Sequence, residues 1–296
     1  MDLSIIIVSW NVKEKLNKCL THLWLSQTNF VFEVFVVDNG SRDGSAAMVR
    51  EEFPEVKLIA NDGNLGFARA VNQAFRQSAG EFIFLLNPDN FVFPSTIDSL
   101  VNWLKINRRA ALAGCRLFDK NSLDIKGQVR KFPGLFNQLA IVLKWPYLFP
   151  GILNRYLRIG FDYDRPAIVD SVRGSAMAIR RSVLESALPD ERWQRGELLD
   201  ERFFVWFEDV DLCRTFRAAE LEVWYTPAAR CYDQVGQSFS QVPRITAQKY
   251  FRASMLAYFR KWKPFWQYCV LWLAWPAGIF LTWIFTALGF EKKDNT

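Results

Sequence analysis

Two short acidic stretches in this chain carry the residue types that chemistry on a charged substrate needs. The first is Asn87-Pro-Asp-Asn90, at the end of an unbroken apolar run from Phe82 to Leu86. Such a run with polar ends reads as a strand buried on both faces, and open α/β sheets bind ligands outside the carboxyl ends of such strands. Pro88 lacks a backbone donor, so the chain is expected to leave the sheet there and present Asp89 at a rim. Asp89 then has two readings. It holds a divalent cation against phosphate oxygens, or it belongs to an ordinary turn capped by Asn and Asp. The second stretch is Glu208-Asp-Val-Asp211, directly after the apolar run Phe203 to Phe207. Acids in the first turn of a helix are stabilised by its dipole. Against an aromatic wall, a carboxylate is also open to tuning as a general base.

The elements that must position these residues follow from periodicity. Ser4 to Asn11 reads as a first buried strand and its exit. A helix follows with apolar Leu16, Cys19, Leu20, Leu23 and Trp24 at helical spacing. His22, the one histidine, lies off that stripe and is expected at the surface. Phe32 to Val37 is a second strand, ending in Asp38-Asn-Gly-Ser-Arg-Asp-Gly-Ser45, a loop with strand-to-helix turn chemistry. Ser45 is expected to cap the helix through Arg50. Val56 to Ile59 is a third strand. Asn61 to Asn72 then leads through Gly63 and Gly66 into a helix reaching about Ser78. A Gly-rich turn at a helix N-terminus offers N–H groups to an anion, or is simple loop punctuation. After Asp89 come a helix from Pro94 to about Asn107 and a strand around Leu112 to Leu117.

Alternating strands and helices over the first ~120 residues predict a parallel sheet covered on both faces. No G-x-G-x-x-G follows the first strand and no P-loop motif occurs, which argues against nicotinamide-binding and P-loop enzymes. Residues 121–166 are irregular and broken by prolines. Within them, Leu135 to Phe149 is apolar, too short to span a bilayer, and readable as core or as interfacial. Gly174, Ser175 and Ala176 suggest a strand that another group approaches closely. A helix from Ser182, a helix from Glu208 to Ala219 and a last strand from Leu221 to Tyr225 complete the pattern.

Composition bounds the rest. The formal charge of +6 is moderate, and no long Lys/Arg run argues for nucleic acid. The five cysteines are scattered with no C-x-x-C pair, so a zinc site or disulfide framework is not expected and a reducing compartment fits. No secretory signal peptide is expected. The stretch Phe265 to Phe290 is uncharged over 26 residues. As a helix it would run roughly 39 Å, enough for a bilayer core of about 30 Å. Arg260, Lys261 and Lys263 precede it and Glu291-Lys-Lys-Asp294 follows, a bias that keeps the preceding domain cytoplasmic. Pro276 and Gly278 leave a kinked span and a re-entrant hairpin both open.

Taken together, Ser4–Asn11, Asp38–Ser45, Asn64–Asn72, Leu85–Asp89, Arg173–Arg181 and Asp200–Arg214 resemble an inverting family 2 glycosyltransferase. They occur in the order of the bacterial rhamnosyltransferase-like branch and cover roughly residues 3 to 240. The resemblance implies an α/β GT-A fold with a mostly parallel sheet flanked by helices; the uncharged stretch adds a C-terminal apolar membrane-associating helical segment. It places a catalytic domain over 1–240, with a nucleotide-binding half to about 120 and an acceptor half beyond. A basic helix over 241–263 and a membrane segment over 264–290 complete the domain reading.

The resemblance also implies roles. Ser9 and Asn11 would lie beside the nucleoside, and Asp38 would accept from the base. Asn64, Gly66 and Arg69 would lie along the ribose, diphosphate or donor sugar. Asn87-Pro-Asp89 stands where the family has D-x-D, with Asp89 on Mg²⁺ or Mn²⁺. Asp233 stands where the branch has a histidine, in Asp233-Gln-Val-Gly-Gln-Ser238, and is a second candidate metal ligand. Asp209 would be the base, with Glu208 as its alternative.

The implied activity is an inverting hexosyl transfer in surface-polysaccharide or cell-wall synthesis. The donor would be a dTDP- or UDP-sugar, foremost dTDP-L-rhamnose. The acceptor would be a polyprenyl-linked glycan, and the work would be done at the cytoplasmic face of the bacterial inner membrane, against lipid. Asn87 and Asp233 depart from the family pattern and motivate a rival reading, a weak or inactive member acting as a binding or assembly subunit. A nucleotidyltransferase would want a basic, Gly-rich loop after the first strand, which Ser9-Trp-Asn11 does not supply.

Overall fold

The computed structural model describes residues 1–234 and 241–287. Strands β1 (Leu3–Ser9), β2 (Phe32–Asp38), β3 (Lys57–Ala60) and β4 (Phe82–Leu86) alternate with helices α1 (Lys13–Trp24), α2 (Ser45–Glu52) and α3 (Phe67–Phe75). Strand β5 (Asn90–Val92), helix α4 (Thr96–Ile106) and strand β6 (Ala110–Phe118) follow. The middle of the chain supplies β7 (Val129–Arg130), α5 (Leu135–Val142), β8 (Ala167–Ile168), β9 (Ser171–Val172) and β10 (Ala176–Arg180). Then come α6 (Leu184–Ala187), α7 (Asp190–Gln194), α8 (Glu208–Ala218), β11 (Glu222–Asp233), α9 (Arg244–Trp262) and α10 (Phe265–Ala287).

The main sheet runs β3-β2-β1-β4-β10-β6-β11-β5, with β8 beside β11. Its left half is parallel, as the alternating pattern predicts; β10 is antiparallel to both β4 and β6, so the whole sheet is mixed. Period-2 alternation sorts the core. Ile5 and Ile7 face α1, α2 and α4, whereas Ile6 faces α3, α6 and α8. All five residues of β4 are buried, as expected of a strand covered on both faces.

Local expectations shift at four places. Pro88 does turn the chain, but β5 re-enters the sheet at once, antiparallel to β11. Pro94 precedes α4 rather than opening it; the helix starts at Thr96, whose Oγ1 accepts the Phe93 N–H at 2.9 Å. Ser45 does not cap α2. Asp43 Oδ1 accepts both the Ser45 N–H (3.0 Å) and its hydroxyl (2.6 Å), an Asx turn that leaves Gly44 at the left-handed position. The last strand runs eight residues past Tyr225, to Asp233. Pro227 sits in a register shift between Thr226 and Arg230, where a missing donor costs nothing.

The stretch from Leu135 to Phe149 forms α5 and a short 3₁₀ turn. Helix α5 packs in a third apolar cluster with α9 and α10. Helix α10 is continuous through Pro276, not a hairpin of two short helices.

Candidate active site

The carboxyl ends of β1, β2 and β4, the start of β10 and the end of β11 meet at one rim. Ser9 and Asp38 sit opposite one another in register, both buried. Ser9 Oγ and Asp38 Oδ1 have no hydrogen-bond partner, while Asp38 Oδ2 accepts the Ser41 N–H at 3.1 Å. Beside them, Asn39 knits two loops together. Its amide donates to Asn64 Oδ1 (3.0 Å) and the Gly66 carbonyl (3.2 Å), and its Oδ1 accepts from Asn61 and Leu65, both at 3.1 Å. Asn39 carried no sequence signal beyond turn chemistry; its partners lie more than twenty residues on.

Asn11 takes a left-handed backbone, and its Oδ1 accepts the Arg42 N–H at 2.7 Å. That carbonyl therefore holds the β2–α2 loop. Asn64 Oδ1 also accepts the Gly66 N–H at 2.9 Å, closing the turn into α3. Gly66, at φ +88°, is required by packing: a Cβ there would meet Phe204 at 2.7 Å. The Phe67 N–H donates to the Phe204 carbonyl at 2.6 Å, so this helix N-terminal donor is not open to an anion. Arg69 pairs with Glu201 at 3.3 Å.

At the next strand end, Asp89 and Asp233 are buried neighbours on β4–β5 and β11. Burial, then the nearby Asp233 charge, push Asp89 up to about 6, while Lys15 and Arg173 pull it back. Asp89 Oδ1 is buried with no partner. Asp233 Oδ2 accepts the Ser175 hydroxyl at 2.9 Å and lies 3.7 Å from Arg173 Nε. Arg173 Nη1 is itself buried without a hydrogen-bond partner. An orphaned carboxylate oxygen beside a second buried acid is a donor set that suits a hard divalent cation. Among the described residues no group of three or more acids, histidines or cysteines is assembled for a metal; Asp89 and Asp233 stand as two buried acids side by side. Asn87 is part-buried at the same end, its N–H donating to the Ser175 carbonyl at 2.8 Å. Residues 235–238 of the Asp233–Ser238 motif lie outside the described residues.

The acids of α8 divide into three environments. Trp206 and Phe207 enter the helix with φ of 62° and 68°, consecutive left-handed conformations that are strained for aromatic residues. Phe207 packs on Phe251 and Tyr258 of α9, and the Ser254 hydroxyl donates to the Val205 carbonyl at 2.7 Å. Glu208 turns into the protein. Its Oε2 has no partner, and burial, then the Asp209 and Asp211 charges, hold its carboxyl well above the usual range. Asp209 is only partly buried, and its Oδ2 accepts the Gly174 N–H at 2.9 Å. Asp211 is fully buried and does more than start the helix. It accepts from Lys261 (2.8 Å) and from the Trp262 indole (2.6 Å), with Arg192 at 3.7 Å.

The tripeptide Arg173-Gly-Ser175 joins the two acidic stretches. Gly174 binds Asp209, and a Cβ on it would lie 2.9 Å from that residue's Cβ. Ser175 binds Asp233 through its hydroxyl and, through its carbonyl, the Asn87 N–H and the Asn90 amide. The close approach expected near Gly174 is made here, just before β10 begins. Arg173 opens one of the family-like segments of the sequence but carried no role there, because an isolated arginine after a strand has no pattern of its own.

Comparison with known proteins agrees with this architecture. Residues 4–187 match the profile described as "Glycosyl transferase family 2". A curated relative, the N-acetylglucosaminyl-diphospho-decaprenol L-rhamnosyltransferase of Mycobacterium tuberculosis, is 29% identical over 81% of this chain and 78% of its own length. Among solved structures, the mannosyltransferase PcManGT of Pyrobaculum calidifontis, in complex with GDP-Man and Mn²⁺, superposes with a TM-score of 0.55. It is 17% identical and covers 96% of this chain and 75% of its own. S. aureus TarS 1–349 superposes at 0.52 with 15% identity, over 88% and 72%. The shared fold is the GT-A type, and with the profile match over more than half its length this chain belongs to glycosyl transferase family 2.

Proposed function

We propose that the protein moves L-rhamnose, with inversion, from dTDP-L-rhamnose onto an N-acetylglucosaminyl-diphospho-polyprenol at the cytoplasmic face of a bacterial inner membrane. Glycosyl transfer follows from the family; the named relative supports the finer substrate reading. The carrying observation is the Arg173–Ser175 bridge, which ties a partly exposed carboxylate, Asp209, to the buried pair Asp89 and Asp233.

In this reading the β1–β2 rim takes the nucleoside, with Ser9 Oγ and Asp38 Oδ1 as its unpaired polar atoms. Asp89 and Asp233 would hold Mg²⁺ or Mn²⁺, which offsets charge on the departing diphosphate. Arg173, with one buried donor spare, adds a fixed positive charge on the same side. Asp209 takes the proton of the acceptor hydroxyl as its oxygen bonds to the anomeric carbon and the bond to the diphosphate breaks. The Gly174 N–H holds the Asp209 carboxylate in place for that transfer. Glu208 is buried and its carboxyl is held well above the usual range by burial and the neighbouring acids, whereas Asp209 is partly exposed, which favours Asp209 over Glu208 as the base.

A panel of dTDP- and UDP-sugars with Mg²⁺ or Mn²⁺, read by thermal shift and by transfer to the lipid-linked acceptor, tests this. Stabilisation and turnover with dTDP-L-rhamnose are expected. Binding of no nucleotide sugar would favour a binding or assembly subunit instead.

A further inference from the structure

Helix α10 has a face committed to the catalytic domain. Leu271 and Trp275 are buried, and with partly buried Tyr268, Ala274 and Ile279 they pack among Val142, Met255, Tyr258 and Phe259. At Gly278 the approach is backbone-close: a Cβ there would lie 2.6 Å from the Val142 carbonyl oxygen of α5. The helix is therefore fastened to the domain from about residue 268 to residue 279. Among the described residues, 280–287 run beyond that contact, about 12 Å of helix at 1.5 Å per residue, against a hydrocarbon core of about 30 Å.

The opposite face is apolar and open. Phe265, Trp266, Trp272, Leu273, Phe280 and Trp283 are all at least half exposed. Helix α5, fastened to α10 at Gly278, continues into a second open apolar patch: Phe136, Tyr147, Leu148 and Phe149 are exposed, the last three in succession. Charge marks the same two segments. Residues 131–158 contain Lys131, Lys144, Arg155 and Arg158, and residues 241–287 contain Arg244, Lys249, Arg252, Arg260, Lys261 and Lys263, with no Asp or Glu in either. These ten positive charges exceed the formal +6 of the whole chain, leaving 6 − 10 = −4 for the remainder. Lys261 is taken up by Asp200 and Asp211; with the other nine, these segments form an aromatic, apolar surface whose own charges are basic, which fits an anionic lipid surface.

We infer that α10 and the α5 segment form one monotopic surface that enters a single leaflet of an anionic bilayer, α10 lying against the domain rather than crossing. This rests on the membrane reading above and replaces both the span and the hairpin. Full-length protein, co-sedimented with phosphatidylcholine vesicles with or without phosphatidylglycerol, tests the surface. Wild type is expected to bind, more tightly with phosphatidylglycerol. The double variant Leu148→Glu, Phe149→Glu should bind at least tenfold more weakly while its nucleoside diphosphate affinity is unchanged. Undiminished vesicle binding by that variant would overturn the role of the α5 segment. Protease access to a tag after Thr296, in inverted and right-side-out membrane vesicles, tests topology. The tag and the catalytic domain are expected on the same face; opposite faces would overturn the monotopic arrangement and restore the span. Failure of wild type to bind any vesicle would instead sink the membrane reading itself.

Discussion

Glu208 and Asp209 are adjacent carboxylates in opposite surroundings, and that difference decides what substitution does to each. Glu208 is buried with an unpaired oxygen, and its carboxyl is held well above the usual range by burial and the neighbouring acids; Glu208→Gln keeps its shape. Asp209→Asn removes the proposed proton acceptor. Steady-state transfer should fall roughly 10²–10⁴-fold for Asp209→Asn, with donor affinity kept, and only a few-fold for Glu208→Gln. The reverse ranking would move the base by one residue. Asp89 sets a pH dependence. Its folded-state pKa, about 6, is raised above the ordinary 3.8, so the native state holds the proton more tightly than the unfolded chain. Stability from this group is present below about pH 4 and is lost as pH rises through about 6. Asp89→Asn should therefore stabilise the cation-free protein at pH 7.5, by up to about 3 kcal/mol at ~1.4 kcal/mol per unit, with the gain vanishing near pH 4. A cation on Asp89 must displace that proton, so Mn²⁺ affinity by calorimetry should drop about tenfold per pH unit below 6. A flat profile from pH 7.5 to 5 would remove Asp89 from the ligand set.

Among the elements, the Arg173–Ser175 turn and α9 position the acids. Gly174 leaves no room for a side chain beside Asp209. Gly174→Ala should push that carboxylate off its hydrogen bond, lowering kcat while the KM for donor changes little; equal losses in both would mean the turn shapes the donor pocket instead. At the far end of α9, Lys261 is mostly buried between Asp200 and Asp211. Lys261→Met leaves two buried acids short of their cation and should cost about 3–5 kcal/mol in chemical denaturation. These elements were unequally legible in the sequence. Phe82–Leu86 and the helix from Glu208 announce themselves by burial pattern and first-turn acids. Strand β11 reads from sequence only as far as Tyr225, because the bulge that tolerates Pro227 has no local signature. The Asp211–Lys261 pair bridges 50 residues, and nothing periodic connects its two ends. Asp211 therefore read as a helix-start residue when it is a buried anchor.

For the molecule as a whole, that anchor has a mechanical meaning. Lys261 and Trp262 grip α8 two residues past Asp209, and Phe265, the first residue of α10, lies three positions after Trp262. No flexible tether separates the proposed base from the helix proposed to face lipid. On the proposed membrane surface the pair would act as a gauge of fixed length, setting how far above the bilayer the reaction is done. A lipid-borne acceptor whose reactive hydroxyl stands at another height, because its glycan is one sugar longer or shorter, would be passed over even when its terminal sugar is correct.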